Sequence, residues 1–159
     1  MAEQYNLSGI ADRLCRNVMI RETKQNEWGA DMKINNVGIF VKDLEGAKNF
    51  FINYFGAKVH AVYNEEENHY YSYIMKISDG ADVAKLELMT KPEVVDQVKD
   101  PNRAGLAHIC VKVDSREKLD EIIGKIKADG YKIFYEPATN GGNEIRAMTF
   151  EDIVLEVCC

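Results

Sequence analysis

Residues 34–59 are INNVGIFVKDLEGAKNFFINYFGAKV, a strand–helix–strand pattern from which the rest of the architecture follows. Ile34–Val41 alternates apolar and small or polar residues, which predicts a strand. Asp43 is a good helix N-cap, because its carboxylate can accept from a free backbone N–H of the first turn. Leu44, Ala47, Phe50, Phe51, Tyr54 and Phe55 then recur at helical spacing as one apolar stripe. Gly56 supplies the stop, and a second strand begins at Lys58 and runs to Tyr63. Beyond it, the acidic run Asn64–Asn68 reads as a loop, and Tyr70–Ile77 and Ala84–Met89 read as strands around a turn at Gly80.

The same order then returns. Residues 105–133, GLAHICVKVDSREKLDEIIGKIKADGYKI, hold a strand at Ala107–Val113, a cap at Ser115, and an apolar stripe of Leu119, Ile122, Ile123 and Ile126. Gly130 ends that helix, and strands follow at Tyr131–Tyr135, Ile145–Phe150 and Ile153–Val157, with Pro137–Gly142 as a loop. The offset between halves is 72 from Val37 to Ile109, 74 from Gly56 to Gly130, and 69 from Leu86 to Leu155. Small drifts of this kind are what loop insertions leave in a repeat. The expected fold is α+β, with two tandem βαβββ modules, about 33–90 and 105–159, forming a curved mixed sheet. Neither copy can cover both faces of its sheet alone, so the two are expected to pair within one domain, 32–159. Residues 91–105, with Pro92 and Pro101, read as a linker with one helical turn. Residues 1–31 read as an N-terminal extension, where Ile10, Leu14 and Val18 recur at the spacing of one short helix.

Bulk properties narrow the function. With 159 residues the chain can bury a core without disulfides. A net charge of −6 disfavours nucleic acid as a partner, since phosphate binding needs a basic face. No apolar run approaches the roughly 20 residues that span a bilayer, so no membrane partner is expected. The opening residues lack the basic-then-apolar layout of a signal peptide, and a cytoplasmic location is the expectation. The four cysteines form no CxxC, and reduced thiols are expected.

Strand alternation sorts the side chains by face. Val37, Ile39 and Val41 lie toward the helix, which leaves Asn36, Gly38 and Phe40 on the other side. In the matching strand, Ile109, Val111 and Val113 lie toward the helix, and His108, Cys110 and Lys112 face away. Leu86 and Leu88 take the helix side of the fourth strand and Glu87 the opposite one; in the last strand Leu155 and Val157 flank an outward Glu156. Asn36, Glu87, His108 and Glu156 therefore stand at equivalent places of the two halves, on the face away from the helices. Taken singly, a strand glutamate is usually solvated surface and a strand histidine a hydrogen-bonded bystander. Taken together, an imidazole and two carboxylates suit a divalent ion such as zinc, nickel, manganese or iron. Asn36 is the weak member, since an amide oxygen is a poor ligand beside these. Phe40 and Tyr73 are candidates to line a substrate pocket, and Arg146 to bind a substrate carboxylate or phosphate.

The two quoted stretches resemble the opening modules of the vicinal-oxygen-chelate superfamily, which includes glyoxalase I and the bleomycin-resistance proteins. The similarity runs from about Lys33 to the C-terminus. It implies four metal positions: a His or Gln in the first strand, a Glu in the fourth, a His in the second module's first strand, and a Glu in the last. Here they hold Asn36, Glu87, His108 and Glu156, so three of four match. The departure at Asn36 argues against an extradiol dioxygenase, which needs two His and one Glu for iron. The resemblance implies a metal-dependent lyase or isomerase similar to glyoxalase I, acting on a small α-hydroxy or α-keto carbonyl compound, with Glu156 as proton-transfer base. The alternative it implies is a metal-free binding protein similar to the bleomycin-resistance proteins. Members are commonly homodimers, and sheet edges left open by two modules invite such pairing.

Overall fold

The computed structural model of the chain describes residues 33–80, 83–96, 104–136 and 142–159. The expected helix after Ser8 and most of the Pro137–Gly142 loop lie outside the described residues, as do residues 97–103 of the linker.

Residues 34–159 form one compact unit built from two copies of the same layout. The first has β1 (Asn36–Phe40), α1 (Leu44–Phe55), β2 (Lys58–Glu65), β3 (Tyr70–Lys76) and β4 (Lys85–Thr90). The second has β5 (Ile109–Lys112), α2 (Arg116–Ala128), β6 (Lys132–Tyr135), β7 (Glu144–Met148) and β8 (Val154–Cys158). Each makes a four-stranded mixed sheet, ordered β1-β4-β3-β2 and β5-β8-β7-β6. In both, the strand before the helix pairs in parallel with the last strand, and the remaining pairs are antiparallel.

Local chemistry explains these boundaries. Asp43 caps α1 by accepting from the Gly46 N–H at 2.8 Å, and Ser115 caps α2 by accepting from the Lys118 N–H at 3.2 Å. Gly56 closes α1 at φ +62°, a left-handed conformation that glycine adopts without a Cβ clash. The α1 stripe buries Ala47, Phe50, Phe51 and Tyr54, and the α2 stripe buries Leu119, Ile122, Ile123 and Ile126. They pack on Ile39, Val41, Met75 and Leu88 of the first sheet, and on Ile109, Val111, Ile145, Ala147, Leu155 and Val157 of the second. Each Val, Leu, Ile, Met or Phe among them contributes about 1.5–3 kcal/mol by leaving water.

The modules touch each other on the helix side. The Phe50 ring meets Tyr131 edge-on with centroids 5.9 Å apart and stacks against Phe150 at 6.4 Å. The Tyr54 hydroxyl donates to Asp129 Oδ2 at 2.5 Å. A 3-10 turn, Phe150–Asp152, reaches across as well. Within it, Glu151 and Asp152 hold φ of +49° and +59°, which costs non-glycine residues on the order of 1 kcal/mol each. That kink aims the Glu151 carboxylate at the backbone N–H groups of Lys42, at 2.7 and 2.9 Å, and Asp43, at 2.5 Å. The open faces of both sheets lie away from this packing.

Candidate functional site: two polar half-sites

On the open face of the first sheet, Glu87 is the central group. Register places Gly38 opposite it on β1 and Ile74 opposite it on β3. Asn36 Nδ2 donates to Glu87 Oε2 at 2.7 Å, and the buried Ser72 hydroxyl donates to Oε1 at 3.0 Å. Asn36 in turn accepts from Asn35 Nδ2 at 3.0 Å. Burial, and then the neighbouring Glu87 charge, raise the Tyr70 hydroxyl above its ordinary value. Gly38 leaves a gap beside the carboxylate that Met89 fills: a Cβ there would stand 2.8 Å from the Met89 methyl.

The second sheet carries a denser cluster. Glu156, only 8% exposed, has Cys110 opposite it on β5 and Arg146 opposite it on β7. Arg146 Nη2 lies 2.8 Å from Glu156 Oε2, and Arg146 Nε lies 2.9 Å from Glu144 Oε1, so one guanidinium bridges two buried carboxylates. His108 Nε2 stands 3.6 Å from the same Glu156 Oε2. Cys110 Sγ is 3.4 Å from Glu156 Oε1 and 3.9 Å from Cys158 Sγ. Burial, then the facing Cys158, pushes the Cys110 thiol up to about 12. Despite the ion pair with Arg146, Glu156 Oε2 receives no well-directed hydrogen bond. A buried oxygen in that state has a free lone pair for a further partner.

The expected site residues thus fall into two pairs, Asn36 with Glu87 and His108 with Glu156. Among the described residues, no three His, Cys, Asp or Glu side chains stand where they could hold one ion together, so Glu87 does not join His108 and Glu156 within the chain. Phe40 lies on the open face, about half exposed, with Lys91 Nζ 5.6 Å from its ring centre. Tyr73 does not line this face. It pairs with Leu88, whose side chain is in the core, and its hydroxyl donates to Glu45 of α1. Arg146 is not a loose surface arginine, because its side chain is only 23% exposed and held by two carboxylates. Glu144, Cys110 and Cys158 were not singled out from sequence. Strand parity with Arg146 and Glu156 is the signal that reaches Glu144 and Cys158.

A divalent ion sets a simple geometric requirement on these donors. Two ligands bound to one ion at about 2.1 Å in tetrahedral array stand about 3.4 Å apart. The 3.6 Å between His108 Nε2 and Glu156 Oε2 is close to that span. Imidazole and carboxylate are donors that transition ions accept, and Glu156 Oε2 retains an unused lone pair. The second half-site therefore offers two suitable donors to such an ion, on a carboxylate oxygen that Arg146 also approaches, and no third among the described residues of the same chain. At the first, Glu87 is a suitable donor, while Asn36 turns its amide nitrogen to the carboxylate.

Paired βαβββ modules with ionisable groups on their open faces define the vicinal-oxygen-chelate fold. The model of the Glyoxalase/Bleomycin resistance protein/Dioxygenase superfamily matches residues 35–149, and the chain belongs to that superfamily. Among solved structures, it is similar to the trypanothione-dependent glyoxalase I of Leishmania major, with TM-score 0.66 and 19% identity over 80% of this chain and 86% of that one. It is similar to a fosfomycin resistance protein of Listeria monocytogenes, solved with Mn(II) and a dihydroxypropylphosphonic acid, at TM-score 0.58 and 19% identity over 78% and 89%. A glyoxalase family protein of Enterococcus faecalis gives TM-score 0.62 at 18% identity over 81% and 98%. No match was found among curated proteins. No helix of the described residues is long and apolar enough to cross a membrane.

Proposed function

We propose that the protein is a metal-dependent lyase or isomerase similar to glyoxalase I. It acts in the cytoplasm as a homodimer on a small α-hydroxy or α-keto carbonyl compound. The observation that carries this reading is the approach of His108 to Glu156 on the open face of the second sheet, at 3.6 Å. His108 and Glu156 of one copy hold the ion, and Glu87 from the first module of a second copy completes it, since Glu87 stays apart from them within the chain. A dimer is favoured further by β1 and β5, each of which ends its sheet with one edge unpaired among the described residues. The glyoxalases and the manganese-bound resistance protein that the chain resembles support a substrate with neighbouring oxygen atoms.

When bound, the ion supplies polarisation of a substrate oxygen, which makes the adjacent C–H more acidic. Glu156 takes the proton from that carbon and returns it to the neighbouring one. Arg146 orients the Glu156 carboxylate from one side, and Ser72 and Asn36 orient Glu87 in the same way. Phe40 offers an apolar wall.

One observation favours a second reading, a metal-free binding protein. The Arg146 guanidinium already places a cation 2.8 Å from Glu156. One experiment separates the two. Purified protein is screened for thermal shifts across zinc, nickel, manganese and iron(II), and then assayed with an α-keto hemithioacetal. The enzyme reading predicts ion-dependent stabilisation and turnover that both vanish in Glu156→Gln. Saturable ligand binding with neither ion dependence nor turnover supports the second reading instead.

A further inference from the structure

We infer that Met89 is a displaceable plug in a notch over Gly38, and that this notch takes the straight aliphatic chain of a ligand whose oxygens meet Glu87. Met89 is then the specificity-determining residue of the first half-site, and the ligand class is a linear α-hydroxy ketone rather than a branched one. The inference rests on the open face of the first sheet as a ligand surface, which the enzyme reading and the binding reading share, and it needs no ion.

Three observations converge. Gly38 lies opposite Glu87 across β1 and β4, and Met89 follows two residues along β4 on the same face. A Cβ at Gly38 would stand 2.8 Å from Met89 Cε and 3.4 Å from Met89 Sδ, so the end of the thioether lies in the space that a side chain there would take. Next, Gly38 is not one of the left-handed glycines, which among the described residues are Gly56, Gly105 and Gly130. Its backbone would accept any strand residue, and a glycine inside a strand costs stability. What the glycine supplies is room beside the carboxylate. Finally, the group filling that room is the apolar side chain most easily moved. Methionine is unbranched, with three rotatable bonds and a polarisable sulfur that also packs well against rings. Phe40, about half exposed, is its register partner on β1 and offers the displaced thioether an aromatic contact.

The plug describes what replaces it. A straight propyl or butyl chain has the outline of a methionine side chain, whereas a tert-butyl group is too broad for a notch opened by one missing Cβ. Glu87 can meet the polar end of the same ligand. Asn36 and Ser72 each donate one hydrogen bond to it, and a carboxylate has about four acceptor sites. A ligand hydroxyl therefore donates to Glu87 while the chain lies over Gly38. A neutral ligand suits this arrangement, because an anionic one would face the Glu87 charge.

The test is an NMR titration of the full chain, labelled with carbon-13 at the methionine methyls and free of added ions. The chain has six methionines, and Met89→Leu identifies the Met89 signal. The probes are hydroxyacetone and the two analogues in which butyl or tert-butyl replaces its methyl. Burial of each methylene is worth roughly fourfold in affinity, and withdrawing Met89 takes back part of that, so the butyl ketone should bind at least about tenfold tighter than hydroxyacetone. The tert-butyl ketone should gain no such advantage. In the unmodified chain the Met89 methyl signal should move more than any other methionine signal when the butyl ketone binds, a readout that needs no variant to fold. Gly38→Ala meets only the far end of a flexible side chain, so the fold accommodates it, and it should cut the butyl preference below about twofold. Met89→Ala empties the notch and should raise the preference. A butyl ketone that binds without moving the Met89 signal, or a preference that survives Gly38→Ala, overturns the inference and leaves both readings of the function standing. Failure of all three ketones to bind overturns the inference as well, and the enzyme reading then stands or falls on ion-dependent turnover of the hemithioacetal, which this titration does not involve.

Discussion

In the first module Glu87 is flanked by Gly38 and Ile74; in the second, Glu156 is flanked by Cys110 and Arg146. The equivalence extends one step along the strands. Met89 faces Ser72 in the first sheet, and Cys158 faces Glu144 in the second. The lattice is the same and the residues on it differ. One sheet surrounds its carboxylate with apolar and small neutral groups, and the other surrounds it with a cation, a second acid and two thiols. A repeat fixes where side chains stand relative to one another; it leaves open what they are. The second copy therefore carries most of the reactive chemistry on a scaffold that both copies build alike.

The largest effects should come from what the modules share. Phe51 is buried in the first core and Leu119 in the second, both essentially without solvent contact. Phe51→Ala should cost about 3–5 kcal/mol and Leu119→Ala about 2–5 kcal/mol, read from urea unfolding. If the modules fold as one unit, each change moves a single transition seen by both tryptophan-independent circular dichroism and thiol reactivity. Two separated transitions would break the comparison by making the modules independent.

Next come the groups that differ. Arg146→Met leaves Glu144 and Glu156 buried without their shared cation, and should destabilise by about 2–3 kcal/mol. The corresponding Ile74→Met in the first sheet conserves apolar character and should stay below about 1.5 kcal/mol. Equal losses at the two positions would mean that the ion pair adds nothing to the second sheet.

Smaller effects belong to the contacts between modules. Glu151→Ala removes the acceptor for the Lys42 and Asp43 N–H groups and should cost about 1 kcal/mol in the same unfolding assay. The smallest is a pH effect. The Tyr54 hydroxyl, and then Lys125, hold the Asp129 carboxyl below its ordinary value. A depressed carboxyl stabilises the fold above its unfolded value, and that stability is lost as pH falls through the folded value. Stability of the unmodified protein should therefore drop more steeply on acidification below about pH 4 than that of Tyr54→Phe. Parallel pH profiles would show that this contact does not couple the modules.

Much of the architecture was legible because its signals are local. Asp43, Gly56, Ser115 and Gly130 mark helix ends, and the stripes between them match the buried faces. The opposed faces of Glu87 and Leu88, or of Glu156 and Leu155, follow from a period of two. Other features depend on partners far along the chain. The strand expected at Ile145–Phe150 is Glu144–Met148, and it ends early because left-handed Glu151 and Asp152 turn the chain; Asp tolerates that conformation, but Glu does not announce it. Glu144 stood one residue before the expected strand and was not singled out. The β2 strand runs on to Glu65 through an acidic stretch because Asn64 and Glu65 pair with Tyr71 and Tyr70. Tyr73 was expected in the pocket, and its pairing with Leu88 puts it under α1 instead. The two site pairs were visible as equivalents in the repeat. Their separation within one chain was not, because packing between modules is set by Phe50, Tyr54 and Glu151 rather than by any site residue.

The central claim is that Glu87 of one copy and His108 and Glu156 of another serve a single ion. It is tested most directly by co-expressing Glu87→Ala and His108→Ala chains and measuring bound cobalt in the mixed dimers. Each variant alone should bind little. Random pairing of the two should restore about a quarter of the sites, since half the dimers are mixed and each regains one intact site. No recovery in the mixture, from dimers shown to be mixed, would contradict the claim.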